Sequence, residues 1–270
     1  CNDITKDTSL YLYEVKKQIM SGYGNTKSYL IPSIVIRSVM DIYNKRDYEL
    51  VIDICDKVLK DSHNYYSDIT RELTYWLCLA LCRTQKEERF YEEVKALDGA
   101  DYWFLKGFFQ RIATKYNSAE NFLKKALEIS PSMQRAKREL VTALLAQHRY
   151  PEALSLAKEN YERDSDNTYH MHAYFRCLVK KVNINREDIA TLKELLDKME
   201  NSYSDKKEEL HMAMNIEFQA NIKRKSPDEM LDLIRNAEKN FPSSVNIQRA
   251  AHEYKLKQAI VSKEVVFPED

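Results

Sequence analysis

Glycine and proline are scarce in this chain, whose 270 residues include four glycines and six prolines. Tight turns between strands draw on these two residues, so their scarcity argues against an all-β fold and favours an all-α fold. Charge of one sign is not in excess either, because 42 lysines and arginines balance 42 aspartates and glutamates. Bulk attraction to nucleic acid or to an anionic membrane is therefore not expected, and any electrostatic preference is local.

Long apolar runs and paired cysteine motifs are also absent. No apolar run approaches the roughly 18 residues that span a bilayer, and charged residues interrupt the start of the chain. This pattern predicts a soluble, cytoplasmic protein without a signal peptide. The five cysteines are an odd set without zinc-ligand spacing, which predicts a reducing compartment and no metal site: Cys1, Cys55, Cys78, Cys82 and Cys177. Cys78 and Cys82 are predicted to pack in the core.

Short catalytic motifs are missing as well. The sequence has no Gly-x-Ser-x-Gly elbow, no His-Glu-x-x-His helix and no dinucleotide-binding fingerprint. Consecutive carboxylates such as Glu92 and Glu93 are typical of a solvated helix face, not of an acid–base pair. We therefore expect a protein that is not an enzyme, with no catalytic residues and no cofactor.

One spacing between similar residues recurs along the chain. Ala119 and Ala153 are 34 positions apart, and so are Pro131 and Ser165. A period of this length indicates stacked helix pairs. Each pair in such an array buries its apolar face only against its neighbours, which leaves an extended surface. The period therefore predicts a binding scaffold and not an enclosed catalytic pocket.

One 34-residue frame, which starts at Ala100, resembles the tetratricopeptide repeat family. The residues that carry the resemblance occupy its fourth, eighth, twentieth, twenty-seventh and thirty-second places: Trp103, Gly107, Ala119, Ala126 and Pro131. The resemblance implies an all-α, right-handed α-solenoid of antiparallel helix pairs. It also implies that Gly107 and Ala119 touch, because small residues at these places let two helices approach closely.

Capping signals and the frame together predict the organisation of the chain. We expect an N-terminal helix and joint at residues 1–27, helical repeats at 28–243, a capping helix at 244–261 and a frayed tail at 262–270. Ser226 with Glu229 has the spacing of a capping box, and Asn117 with Glu120 has the same spacing, so both Ser226 and Asn117 are predicted to begin helices. No single offset fits both the apolar run at residues 69–82 and the short second helix at residues 90–94, which predicts a repeat with a short deletion.

In the tetratricopeptide family, the second, fifth, ninth, twelfth and thirteenth places of each repeat line a concave face, and the resemblance implies the same here. In three adjacent frames these places form a basic strip with aromatic residues, and its predicted protein-binding residues are Phe104, Phe108, Arg111, Arg135, Arg138, Tyr169, His172, Arg176 and Lys180. Guanidinium groups beside aromatic rings suit a partner with carboxylates and an apolar anchor, so we expect an acidic peptide or protein segment. In the alternative interpretation, these cations pair with carboxylates on neighbouring helices and only form part of the solvated protein surface.

Nucleic acid is disfavoured as a partner. A code of one base per repeat needs the same places to be polar in every repeat, and Met40, Phe108 and Leu145 interrupt that pattern. Another protein therefore remains the expected partner.

Two further interpretations remain open. The runs Arg138-Glu139-Leu140 and Tyr174-Phe175 resemble the C-terminal repeat region of bacterial antiviral STAND-type NTPases. That resemblance implies a ligand-sensing role and a preceding domain before Cys1. Alternatively, Cys1 is the acylated first residue of a bacterial surface lipoprotein, which would place the chain at a membrane through a lipid anchor.

Overall fold

The chain is built from helices. The computed structural model describes residues 30–60, 67–200 and 205–264, and no β-strand occurs within these ranges. The helices are α1 (Leu30–Asn44), α2 (Tyr48–Lys60), α3 (Ser67–Arg83), α4 (Glu87–Glu93), α5 (Gly99–Ile112), α6 (Tyr116–Ile129), α7 (Gln134–Ala146), α8 (Tyr150–Arg163), α9 (Thr168–Val179), α10 (Arg186–Glu200), α11 (Asp205–Phe218), α12 (Pro227–Asn240) and α13 (Val245–Glu264). The prediction of an all-α helical repeat fold is confirmed.

The predicted ends of the chain lie mostly outside the described residues. The helix and joint expected at residues 1–27, and Cys1 with them, precede the first described residue. At the other end α13 continues to Glu264, and the remainder of the expected tail follows the last described residue.

The chain divides into two compact units, residues 1–139 (unit 1) and 140–270 (unit 2), and the boundary falls within α7. In unit 1, α1 packs on α2, α3 on α4, and α5 on α6, while the first helices α1, α3 and α5 also contact one another in sequence. In unit 2, the first helices α9, α11 and α13 contact one another in the same way. Within each unit these helix pairs are thus stabilised by their immediate neighbours, which is the packing of a repeat protein.

A residue in the left-handed region follows the first helix of four successive pairs. These residues are Arg46, Gln85, Thr114 and His148, with φ between 55° and 67°. Each stands two positions before the second helix of its pair, and the N–H of the next residue reaches back to an earlier carbonyl, as Lys115 does to Gln110 over 2.8 Å. This Schellman closure satisfies carbonyls at the helix end and turns the chain into the next helix. The four residues therefore mark the repeat register.

The structure corrects one predicted helix start and confirms the other. Asn117 does not begin α6, which starts at Tyr116 after Lys115 and has no side-chain cap. Because the closure around Thr114 already directs the chain into α6, Asn117 lies within the first turn. Ser226 does begin α12, where its side chain and that of Glu229 form the predicted capping box.

Close helix packing defines the core of unit 1. A Cβ atom placed on Gly107 would lie 3.2 Å from the backbone oxygen of Ala119 and 2.7 Å from Cγ of Leu123, so the predicted contact of Gly107 with Ala119 is confirmed. Cys78 and Cys82 are buried free thiols, as predicted, and burial raises the pKa of both. These cysteines act as small apolar side chains in the core.

We predict that Thr114→Gly stabilises the protein by up to about 1 kcal/mol. A β-branched residue in the left-handed region is strained, whereas glycine adopts that region freely, although glycine also gains entropy in the unfolded chain. Thermal unfolding should show a midpoint about 2–4 °C higher. Thr114→Ala removes only the branch, so its gain should be smaller. A midpoint that stays constant or falls in the glycine variant would contradict the assignment of strain to Thr114.

Candidate functional site

The first helices of unit 1 carry a row of aromatic rings. This aromatic row consists of Tyr43 in α1, Tyr75 and Trp76 in α3, and Phe104 and Phe108 in α5. Ring centroids are 5.4 Å apart for Tyr43 and Trp76, 6.3 Å for Tyr75 and Phe104, and 5.9 Å for Phe104 and Phe108. Phe104 and Phe108 are only 2% and 3% exposed. These two predicted binding residues therefore form the floor of the site instead of an exposed anchor.

Three arginines lie over the aromatic row. The guanidinium carbons of Arg83 and Arg111 are 4.8 Å and 5.1 Å from the centroid of the Phe108 ring. The guanidinium carbon of Arg135 is 5.4 Å from the centroid of Tyr75. Contact of a cation with the face of an aromatic ring is favourable, so the row holds each guanidinium in place.

The three arginines differ in their polar partners. Arg111 forms an ion pair with Glu139, and both side chains are mostly buried. By contrast, Nε of Arg83 donates to the hydroxyl of Tyr43 over 3.2 Å, and Nη1 of Arg135 donates to the hydroxyl of Tyr75 over 2.7 Å. Burial raises the pKa of Tyr75 to about 12, so this hydroxyl remains neutral at ordinary pH. Within the part of the chain that the structure describes, neither Arg83 nor Arg135 has a carboxylate partner, and both are exposed.

Arg83, Tyr43 and Tyr75 also belong to this site, although they are not among the predicted binding residues. If the left-handed residue is taken as the fifteenth place of each frame, Tyr75 and Arg83 fall on the fifth and thirteenth places of the frame that contains Gln85. Both places belong to the predicted concave set. The signal was hidden because the second helix of this pair, α4, has only seven residues, so the frame did not fit both helices.

Arg138 lies in α7 beside Glu139 and is partly buried, at the end of unit 1. Four predicted binding residues belong to α9 and its end, in unit 2. Tyr169 is 43% exposed, whereas His172 is buried at 7%.

Two predicted cations in unit 2 are paired with carboxylates. Arg176 has its Nε 3.9 Å from Oε1 of Glu217 in α11, and Lys180 has its Nζ 2.7 Å from Oε2 of Glu253 in α13. For these two residues the structure shows the pairing between neighbouring helices that the alternative interpretation described.

Comparison with known proteins gives the class of these helix pairs. Residues 111–180 match a family profile described as tetratricopeptide repeat. This segment consists of tetratricopeptide repeats. The matched segment begins at Arg111, near the end of α5, and includes four of the helices described above, α6 to α9.

Solved structures support the same tetratricopeptide fold. PilF of Pseudomonas aeruginosa aligns with 82% of this chain and 97% of its own, at 13% identity and a TM-score of 0.51. Yeast Tom70 aligns with 96% of this chain and 52% of its own, at 14% identity and a TM-score of 0.58. No curated protein sequence matches the chain. At this identity the likeness concerns the fold, and tetratricopeptide repeats are generally non-catalytic protein-interaction scaffolds.

Proposed function

We propose that unit 1 of the tetratricopeptide repeat region binds an acidic segment of another protein through Arg83 and Arg135. The observation that carries the proposal is the environment of the guanidinium groups of Arg83 and Arg135. Each guanidinium is exposed, rests on an aromatic ring and uses one N–H to bond a tyrosine hydroxyl. Among the described residues neither one forms an ion pair with a carboxylate, and Glu139 attracts Arg83 only at longer range. Most of their donors therefore remain available to a ligand.

The aromatic row makes Arg83 and Arg135 suitable for peptide binding, while Arg111 remains paired with Glu139. Arg83 and Arg111 share the ring of Phe108, which is linked through Phe104 to Tyr75 beneath Arg135. A guanidinium that is already held by a ring and a hydroxyl loses little conformational freedom when a ligand binds. The planar guanidinium then donates two parallel hydrogen bonds to a carboxylate in bidentate geometry. A chain with spaced Asp or Glu residues matches this arrangement.

We predict that Arg83→Glu with Arg135→Glu weakens binding of acidic peptides by at least about tenfold, which corresponds to about 1.4 kcal/mol. The probe is a fluorescein-labelled peptide set in which Asp or Glu alternates with apolar residues, and fluorescence anisotropy measures its affinity. The loss should shrink as salt concentration rises, because exposed ion pairs are screened.

The matched control changes the same amount of charge elsewhere. Lys158 and Arg163 lie on α8, and their side chains are 55% and 50% exposed. Lys158→Glu with Arg163→Glu should leave the affinity of the acidic peptides near that of the wild type. An equal loss of affinity in both double variants would show that only net charge matters, and this would overturn the proposal. Wild-type affinity in the Arg83→Glu, Arg135→Glu variant would overturn it as well. Circular dichroism establishes that each variant is folded.

A further inference from the structure

A cleft of about 730 Å³ opens in unit 2, where the ends of α9 and α11 meet α13. Its polar lining includes Lys180, Glu217, Asn221, Arg224, Tyr254 and Lys257. Small-molecule sites in proteins typically have volumes of about 300–1,000 Å³ and are lined by apolar walls with a few polar groups. The cleft therefore has the dimensions of a ligand site, and the acidic-peptide proposal for unit 1 does not use it.

An irregular turn shapes one wall of the cleft. After α11 the chain forms a π-helical segment, Gln219–Lys223, and Arg224 then adopts the left-handed region with φ of 52°. Asn221 in this segment donates from Nδ2 to the carbonyl of Glu217 over 2.7 Å and accepts from Lys257 at Oδ1. Segments of π-helix are rare and occur frequently at functional sites. Here the segment brings Asn221 and Arg224 to the cleft.

Two buried polar atoms at the cleft lack partners. The side chain of Glu217 is 4% exposed, and its Oε1 accepts from Nη2 of Arg249 over 2.8 Å. Oε2 of Glu217 has no hydrogen bond within the described residues. The same is true of the hydroxyl of Tyr254, a residue that is 6% exposed. An unsatisfied buried polar group costs about 1–3 kcal/mol. Since Oε2 of an ionised carboxylate only accepts, the group that satisfies it must be a donor.

The charges around the cleft favour an anion. Lys180 is paired with Glu253, and Lys181 is paired with Asp188. The side chain of Arg224 has no hydrogen bond or ion pair in the described part of the chain, although its backbone N–H donates to the carbonyl of Gln219. There Lys257 bonds the neutral amide of Asn221 but no carboxylate. Two cations without a carboxylate partner match the charge of a phosphate monoester, which is close to −2 at neutral pH.

We propose that this cleft binds a small phosphate ester that also carries hydroxyl groups, of the sugar phosphate or nucleotide class. The phosphate pairs with Arg224 and Lys257. One ligand hydroxyl donates to Oε2 of Glu217 and another bonds the hydroxyl of Tyr254. Because both atoms are buried, these side chains turn toward the cleft when the ligand binds. The apolar lining, which includes Ile184, Ile189 and Ile222, covers the carbon skeleton of the ligand.

Isothermal titration calorimetry of the whole chain tests this proposal with four probes. These are inorganic phosphate, ribose 5-phosphate, adenosine 5′-monophosphate and adenosine. We expect ribose 5-phosphate, adenosine 5′-monophosphate or both to bind at least about tenfold more tightly than inorganic phosphate and adenosine. A preference between the two phosphate esters distinguishes a sugar phosphate from a nucleotide. If no probe binds at millimolar concentration, or if inorganic phosphate or adenosine binds as tightly as the esters, the proposal is wrong.

Variants on one helix locate the binding site. Lys257→Gln is expected to weaken binding of the phosphate ester at least about tenfold, whereas Lys255→Gln should not change it. Lys255 lies two residues away on α13 with a side chain that is 56% exposed, 3.9 Å from Glu238. Tyr254→Phe should weaken ribose 5-phosphate without changing the affinity for inorganic phosphate. Equal affinities in Lys257→Gln and Lys255→Gln would place the ligand elsewhere and overturn the proposal. The variant with Arg83→Glu and Arg135→Glu, both in unit 1, should bind the phosphate ester with wild-type affinity.

Discussion

Glu217→Ala is expected to destabilise unit 2 by about 3–5 kcal/mol, because it leaves buried guanidinium groups without their counter-charge. Arg176 and Arg249 both face Glu217, and their side chains are only 13% and 24% exposed. Burial, together with the repulsion from Arg249, lowers the pKa of Arg176 to about 10. A lowered pKa means that the charged guanidinium is already less stable in the folded protein than in the unfolded chain. Loss of the carboxylate would increase this cost.

Urea unfolding followed by circular dichroism measures the effect of Glu217→Ala. The control is Glu159→Ala in α8, which removes an exposed glutamate 3.1 Å from Arg163 and should cost no more than about 1 kcal/mol. Arg176→Met combined with Glu217→Leu should cost less than the two single changes added together, because neither charge of this buried pair is then left alone. Arg249 keeps a carboxylate partner in Glu253. If Glu217→Ala is as mild as Glu159→Ala, Glu217 does not stabilise the two arginines.

Gly107→Ala is expected to destabilise unit 1 by about 1–3 kcal/mol through overpacking. Alanine has the higher helix propensity by about 1 kcal/mol, so propensity alone predicts the opposite sign. The added Cβ would lie 2.7 Å from Cγ of Leu123 and 3.2 Å from the backbone oxygen of Ala119, and these contacts force α5 and α6 apart. Steric cost therefore exceeds the gain in propensity.

A double-mutant cycle separates these two effects. In a Leu123→Ala background the closest side-chain atoms are gone, so the added methyl group of Gly107→Ala should cost less than it does in the wild type. Thermal or urea unfolding of the four proteins gives the coupling free energy. Additive effects of the two substitutions would show that Leu123 does not limit the size of residue 107.

The repeat architecture was accessible from the sequence because it depends on residues close to one another along the chain. The spacing of Ala119 and Ala153 predicted stacked helix pairs, and Ser226 with Glu229 predicted the start of α12. The prediction that Asn117 begins a helix was wrong, because the Schellman closure at Thr114 already directs the chain into α6. Capping residues predict helix starts less well where the preceding turn sets the chain direction.

The candidate site depends on contacts that local patterns do not contain. Arg83 and Tyr75 would have been found if the frame had been aligned on the left-handed residue Gln85 instead of on both helices. The partners of the cations are harder to predict, since Lys180 reaches Glu253 across 73 positions of sequence. Nothing near Lys180 in sequence distinguishes it from Arg135, which has no carboxylate partner within the described ranges.

The four left-handed junctions have a consequence for how such a chain grows and changes. At each junction the hydrogen bonds are made by the backbone, and the residues at the closing position are Arg46, Gln85, Thr114 and His148, which share no side-chain chemistry. A recombination event that joins the first helix of one repeat to the second helix of another would therefore preserve the turn. Gene duplication and unequal crossing-over can lengthen or shorten the array at these points while the helices keep their local connection.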